Sequence, residues 1–185
     1  MSDASQVSTG KPKTGGAVSV APVGTTLPTD PYTALDNAFA GLGYISEEGF
    51  KQAEERESQD IKAWGGDIVD SPQTSKSDTF SGTFIESMNE NVQKLVHGDE
   101  NVETGTVEQR TFMAIKANAT ELGEKAFVVD MILKGGIPKR IVIPKGKVTE
   151  VGEVTYVDNE AIGYPVTIKA FPDSAGNTHY EYIGA

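Results

Sequence analysis

The chain has 185 residues, with 27 acidic side chains against 16 Lys and Arg, a formal net charge of −11, and no cysteine. Without cysteine there is no disulfide framework, thiol catalysis or Cys-ligated metal, and the charge argues against a protein that grips phosphate backbones, which requires Lys and Arg. The length suits one domain, and 20 glycines and nine prolines at 37% hydrophobic content point to many short strands joined by turns.

Residues 1–15 are rich in Ser, Thr, Gly, Lys and Pro and offer almost nothing to bury, so they read as a flexible N-terminal arm. They also lack the apolar stretch of an export signal. Residues 16–185 then form one domain. Ala17 to Ala21 is β-prone, and Pro22 to Pro31 is a loop in which Pro28 and Pro31 block helix and ladder alike. Tyr32, Leu35, Ala38 and Phe39 have the spacing of two helical turns, which Gly41 and Gly43 would end.

Gly49 to Ile61 alternates charged with small or apolar residues, as a hairpin strand or a long exposed excursion. Trp64-Gly65-Gly66-Asp67 makes a turn. Gln73 to Ile85 resumes strand character, with Phe80 and Phe84 on one face and Thr79, Ser81 and Thr83 on the other. Ser87 and Glu90 have capping-box spacing, and Met88, Val92, Leu95 and Val96 form an apolar stripe up to Gly98. The pattern predicts a helix over about 88–97.

Beyond Arg110 the pattern is β. Phe127, Val129, Met131 and Leu133 share one face, as do Ile162, Tyr164, Val166, Ile168 and Ala170. Gly135-Gly136, Lys145-Gly146 and Ser174 to Asn177 read as turns. Six strands are expected: Arg110–Lys116, Ala126–Lys134, Arg140–Ile143, Val148–Val157, Ala161–Phe171 and Thr178–Ile183. The fold class is mainly β, two packed antiparallel sheets in a sandwich- or barrel-like arrangement with one flanking α-helix.

Catalytic and cofactor signals are missing. Gly41-Leu42-Gly43 begins like a dinucleotide fingerprint, but Ser46 stands where the third glycine belongs. His97 and His179 have no metal-spaced neighbours. Asn118-Ala119-Thr120 matches a glycosylation sequon without an export signal beside it. The expectation is no enzyme, no cofactor, no metal and no membrane anchor. Charge, by contrast, is segregated. From Asp36 to Asp70 nine acids meet three bases, whereas Met131 to Thr149 has no acid and five bases, Lys134, Lys139, Arg140, Lys145 and Lys147. Such segregation is either two solvated faces or a head-to-tail docking pair between subunits.

Two blocks carry a resemblance to a known family. In Gly16 to Val69 a short strand, a Pro/Gly/Thr loop, a small-residue segment, a Gly-rich turn and an acidic strand run into Ala63-Trp64-Gly65-Gly66-Asp67. The second block is Phe84 to Gly98. Together they resemble the major tail tube proteins of phages with long noncontractile tails. The resemblance implies hexameric rings stacked head to tail, with the arm and a long loop over about 58–73 contacting the neighbouring ring. It implies as partners the chain itself, the tape measure protein, the tail terminator and distal tail proteins. DNA would transit the lumen without specific binding, past acidic walls that repel it. The protein would be made in the host bacterial cytoplasm and reside in the virion, without an added immunoglobulin-like decoration. Interface residues are then expected at Lys11, Lys13, Asp60, Trp64, Asp67, Lys139, Arg140, Lys145 and Lys147. Two other readings stay open, a β-sandwich ligand-binding or adhesion module and a hexameric ring of a type VI secretion tube.

Overall fold

A computed structural model describes residues 2–185; Met1, the first residue of the expected arm, lies outside them. The strands are β1 (Lys11–Pro12), β2 (Val18–Pro22), β3 (Ala40–Gly41), β4 (Lys51–Ser58), β5 (Ile61–Lys62), β6 (Ile68–Asp70) and β7 (Gln73–Phe84). After helix α1 (Glu90–His97) come β8 (Val102–Val107), β9 (Arg110–Ile115), β10 (Lys125–Ile132), β11 (Pro138–Val151), β12 (Tyr164–Ala170) and β13 (Tyr180–Ile183). The fold is mainly β with one helix, as the patterning implies. Among the described residues the sheet does not close into a barrel.

One antiparallel sheet of nine strands runs β3-β2-β10-β11-β12-β7-β4, with β1 added to β10 and β13 to β11; β5-β6 and β8-β9 are separate two-stranded ribbons. Period-2 alternation sends one face of both halves of the large sheet into a common core. Val20, Phe127 and Ile143 line up across three strands, as do Val18, Val129 and Ile141. From the other half come Val148, Ile168 and Phe80, and Val166, Tyr164 and Phe84 beside them. All belong to one buried cluster, which Val92, Leu95 and Val96 of α1 complete.

The two packed layers are thus halves of one sheet, joined through β11. Its first half pairs with β10 and its second with β12. Lys145-Gly146, expected as a turn between two strands, lies inside β11. Opposite it the β10 register slips between Lys125 and Phe127, a bulge that bends the sheet. A Cβ at Gly146 would stand 2.9 Å from both the Phe127 ring and Ile168 Cγ2. Here glycine is needed for close packing rather than for a reversal of the chain.

The helix starts later than the capping box suggests. Asn89 is its N-cap, its side chain accepting from the Asn91 N–H at 3.0 Å. Glu90 instead pairs with Lys94 at 2.5 Å, and Met88 is 89% exposed rather than part of the stripe. Glu86 supplies the link that capping does not. Its carboxylate accepts from Tyr44 N–H and Asn89 Nδ2, each at 3.0 Å, and it lies where a Cβ at Gly43 (φ +73°) would be, 1.9 Å from Glu86 Cδ.

Tyr32 to Phe39 is not helical. The Asp30 carboxylate accepts from the Tyr32 and Thr33 N–H groups, both at 2.7 Å, and Asp36 accepts from Ala38 N–H at 2.9 Å. These Asx turns take the amides that a helix would use. With the Thr33 hydroxyl as the main contributor, the same bonds hold the Asp30 carboxyl below its ordinary range.

This loop is pinned by Arg140, which is 0% exposed. Arg140 Nε and Nη2 donate to the two Asp130 oxygens at 2.6 and 3.0 Å, and Nη1 donates to the carbonyls of Asp30 and Thr33 at 2.9 and 2.8 Å. A buried ion pair satisfied in this way gives little net stability but leaves a large deficit when one partner is removed. Arg140→Met should therefore cost about 3–5 kcal/mol, and urea denaturation is the check. Gly146→Val should cost about 1–3 kcal/mol by overpacking, read as a lower Tm with little change in m-value.

Candidate assembly interface

β4 pairs with β7 from Lys51↔Ser81 out to Ser58↔Gln73, and β5-β6 continues the same excursion to a turn at Ala63–Asp67. β12 accompanies β7 only as far as Asp78. Outward from there the ribbon has no third strand, and all eight residues of β4 are exposed. At about 3.3 Å per residue the part beyond Asp78 is roughly 35 Å long. The expected loop over 58–73 is therefore the tip of a hairpin, and the charged segment before it is both strand and excursion.

The ribbon holds its shape through polar pairs. Glu54 receives Arg56 at 2.5 Å and Lys76 at 3.1 Å, Arg56 also donates to Gln73 Oε1 at 2.9 Å, and Ser75 donates to Glu57 at 2.9 Å. Exposed pairs of this kind contribute about 0–1 kcal/mol each. The tip differs in character. Trp64 is 105% exposed, with Ile61, Ile68 and Val69 also exposed around it. Of the tip acids, Asp60 accepts from Ser71 Oγ at 2.8 Å, and Asp67 closes the turn through its carbonyl, which accepts from Ala63 N–H at 2.8 Å.

Where the ribbon leaves the core, a polar cluster fastens it to the C-terminal segment. Asp78 is buried, and its Oδ2 accepts from Lys76 at 2.8 Å and Thr178 Oγ1 at 2.5 Å. Since the Thr178 hydroxyl donates to Asp78, its 3.2 Å contact with His179 Nδ1 needs that nitrogen to carry the proton. Nε2 is then free to accept from Gln52 at 3.0 Å. The imidazole meets the Phe80 ring edge-on at 5.4 Å. Burial pushes the Asp78 carboxyl up, but the Lys76 and Thr178 hydrogen bonds outweigh it and hold the group below its ordinary value of 3.8. His179, which has no metal-spaced neighbour in the sequence, is a binding element of the hairpin base. Asp78 was findable, because alternation puts it on the face of Phe80 and Phe84.

Four of the five basic residues of 131–149 meet acids of their own protomer. Lys139 pairs with Glu181 at 2.7 Å, Lys145 with Glu124 at 3.2 Å, and Lys147 with Glu121. Arg140, expected at an interface, is inside and committed to Asp130, so it presents no charge to a neighbour. Segregation along the sequence is therefore not segregation in space. Lys13 reaches Asp130 at 3.5 Å, and Lys11 lies exposed in β1 against Ile132. Lys11 and Lys134 make no ion pair among the described residues. The structure thus brings Asp60, Trp64 and Asp67 together at the tip, and distributes the lysines over the body.

Among the described residues no group of three His, Cys, Asp or Glu side chains is placed to hold a metal. Two of the best-formed depressions have volumes of about 240 and 230 Å³, below the usual range of ligand clefts. The sequon asparagine, Asn118, exchanges side-chain hydrogen bonds with Asn101 at 3.2 and 2.8 Å.

The described residues thus form a β-rich body from which a long ribbon with an exposed apolar tip extends. The chain belongs to the phage tail tube protein family, whose profile matches residues 6–185, and is by that membership a structural component of the virion tail. No curated protein matches the sequence closely enough to count as a relative. Among solved structures, the chain is similar to the tube-terminating cap of the anti-feeding prophage, seen by cryo-electron microscopy, with TM-score 0.43 and 7% identity over 95% of this chain and 93% of that one.

Because Trp64 touches nothing in the body, Trp64→Ala should leave the Tm of the monomer unchanged, and the wild-type monomer should emit with the red maximum of a solvated indole. Asp78 has its own signature. A carboxyl with a lowered folded pKa contributes stability that is full above the unfolded value and is lost as pH falls through the folded one. The wild type should therefore lose stability as pH drops from about 4 toward the lower folded value, and Asp78→Asn should flatten that part of a pH series of chemical denaturation curves.

Proposed function

We propose that this chain forms the tail tube of a phage with a long noncontractile tail, assembling as hexameric rings that stack head to tail around the tape measure protein and later conduct the genome. Residues 16–185 are the tube domain and residues 1–15 its arm. The tail terminator and distal tail proteins close the two ends, and synthesis and assembly take place in the cytoplasm of a bacterial host. The single observation that carries this reading, beyond family membership, is the ribbon from β4 to β7. Its length, the exposed Ile61, Trp64, Ile68 and Val69, and the acids Asp60 and Asp67 at its end suit a contact outside the protomer.

In this reading the tip docks on the adjacent ring, where Trp64 is an anchor of the kind that dominates protein interfaces. Lys11 and Lys134, exposed and without ion pairs among the described residues, suit the acids of the tip. An acidic chain also suits a lumen through which DNA must slide, since like charge leaves no counterions to release.

Electron microscopy of the purified protein tests the proposal. Rings of uniform bore with sixfold symmetry, or tubes made from them, are expected; a monomer or a closed dimer at every concentration would overturn it. Trp64→Ala should abolish or delay tube formation by removing roughly 2 kcal/mol or more of contact energy. Wild-type emission should shift to the blue as tubes form.

A further inference from the structure

We propose that the β8-β9 ribbon is a second docking arm, whose Val107, Arg110 and Phe112 seat on the acidic and apolar segment 151–160 of another copy of this chain. The inference rests on the tube reading, because family membership is what supplies the second copy. β8 and β9 pair only with each other, and a two-stranded ribbon is marginal in water by itself. This one is fixed at its root alone. Val102 is buried, Asn101 is bonded to Asn118, and Lys116 N–H donates to the Asn101 carbonyl at 2.8 Å.

Away from the root the ribbon carries apolar side chains that stay exposed. Val107 pairs with Arg110 and Gly105 with Phe112, so Val107, Arg110 and Phe112 share one face. Val107 is 60% and Phe112 47% exposed. Lys116 is paired with Glu103 at 2.7 Å, whereas Arg110 forms no ion pair among the described residues. The turn is held at φ +48° and +63° by Glu108 and Gln109, neither of which is a residue that favours this geometry. Local turn chemistry is therefore not what keeps the ribbon extended.

The complementary surface has the opposite charge. From Val148 to Ile168 the chain contains no base, and its acids Glu150, Glu153, Asp158 and Glu160 form no ion pair among the described residues. Val151, Tyr156 and Val157 are exposed there, Tyr156 at 72%. The segment is anchored at its start, where Gly152 N–H donates to the Pro165 carbonyl at 2.8 Å. Apart from Glu108 in the turn, Arg110 is the charge that the ribbon end presents beside its apolar face, and it matches an apolar face with anions only; charge sets the orientation and the covered aromatic groups supply the affinity. The Trp64 tip is less suited to Arg110, since it has its own base in Lys62 and its Asp60 already accepts from Ser71.

The test is a charge swap combined with cross-linking. Arg110→Glu should raise the protein concentration needed for assembly by about tenfold, the scale of a lost interface contact, with the monomer Tm unchanged. Adding Glu153→Lys, Asp158→Lys and Glu160→Lys to that variant should restore assembly. The chain has no cysteine, so Val107→Cys chains mixed with Asp158→Cys chains should give a mixed disulfide on oxidation. Assembly of Arg110→Glu at the wild-type concentration, or a swap that rescues nothing, overturns the proposal while leaving the tube reading standing. Linkage of Val107→Cys to Asp67→Cys chains instead would make the hairpin tip the occupant. A wild type that never assembles overturns both.

Discussion

The structure depends on one strand serving two layers. β11 crosses from the half of the sheet built with β10 to the half built with β12, and the bend between them needs a residue without a side chain where Phe127 and Ile168 converge on Gly146. Because that strand is continuous, displacement of one half is transmitted to the other through backbone hydrogen bonds as well as through side-chain packing. The Arg140–Asp130 pair lies on the opposite face of the same strand and clamps the 30–33 loop over it. A polar clamp outside and an apolar core inside hold β11 from both sides.

Both ribbons follow from that arrangement. Once α1 and the two halves of the sheet have buried their apolar faces on one another, little core remains for β4 to β7 beyond Asp78 or for β8-β9. Those segments leave the body carrying exposed apolar residues. In the ribbon base at Asp78, Lys76, Thr178 and His179, hydrogen bonds to Asp78 Oδ2 and to the imidazole do what packing does elsewhere. A buried polar cluster tolerates few alternative geometries, so it fixes the direction of the ribbon more sharply than an apolar contact would.

The core was legible where alternation is strict. Phe80 and Phe84, the Phe127–Val129 face and the run from Tyr164 to Ala170 all point inward as their spacing requires. Errors arose where a local signal had two meanings. Lys145-Gly146 has the composition of a turn, but Gly146 answers to tertiary crowding that no local pattern reveals. Ser87 and Glu90 fit a capping box, yet Asn89 caps equally well and Glu86 ties the helix to Tyr44, far away in sequence. Asp30 and Asp36 turned a helical spacing into Asx turns. At the surface, the charges of 131–149 suggested a docking face because their partners Glu121, Glu124, Asp130 and Glu181 lie in other strands and loops, and only the sheet brings them together.

The outer edge of β4 has one further consequence. It is an eight-residue border strand with its outward amides and carbonyls open to water, the kind of edge on which unwanted sheet extension begins. Its sequence, Lys-Gln-Ala-Glu-Glu-Arg-Glu-Ser, places a charge at five of eight positions, and those charges would have to give up water if a second strand were laid along the edge. The border strand thus resists sheet extension through the cost of stripping water from its charges, and edge-to-edge pairing in arbitrary register is disfavoured without any strand covering it.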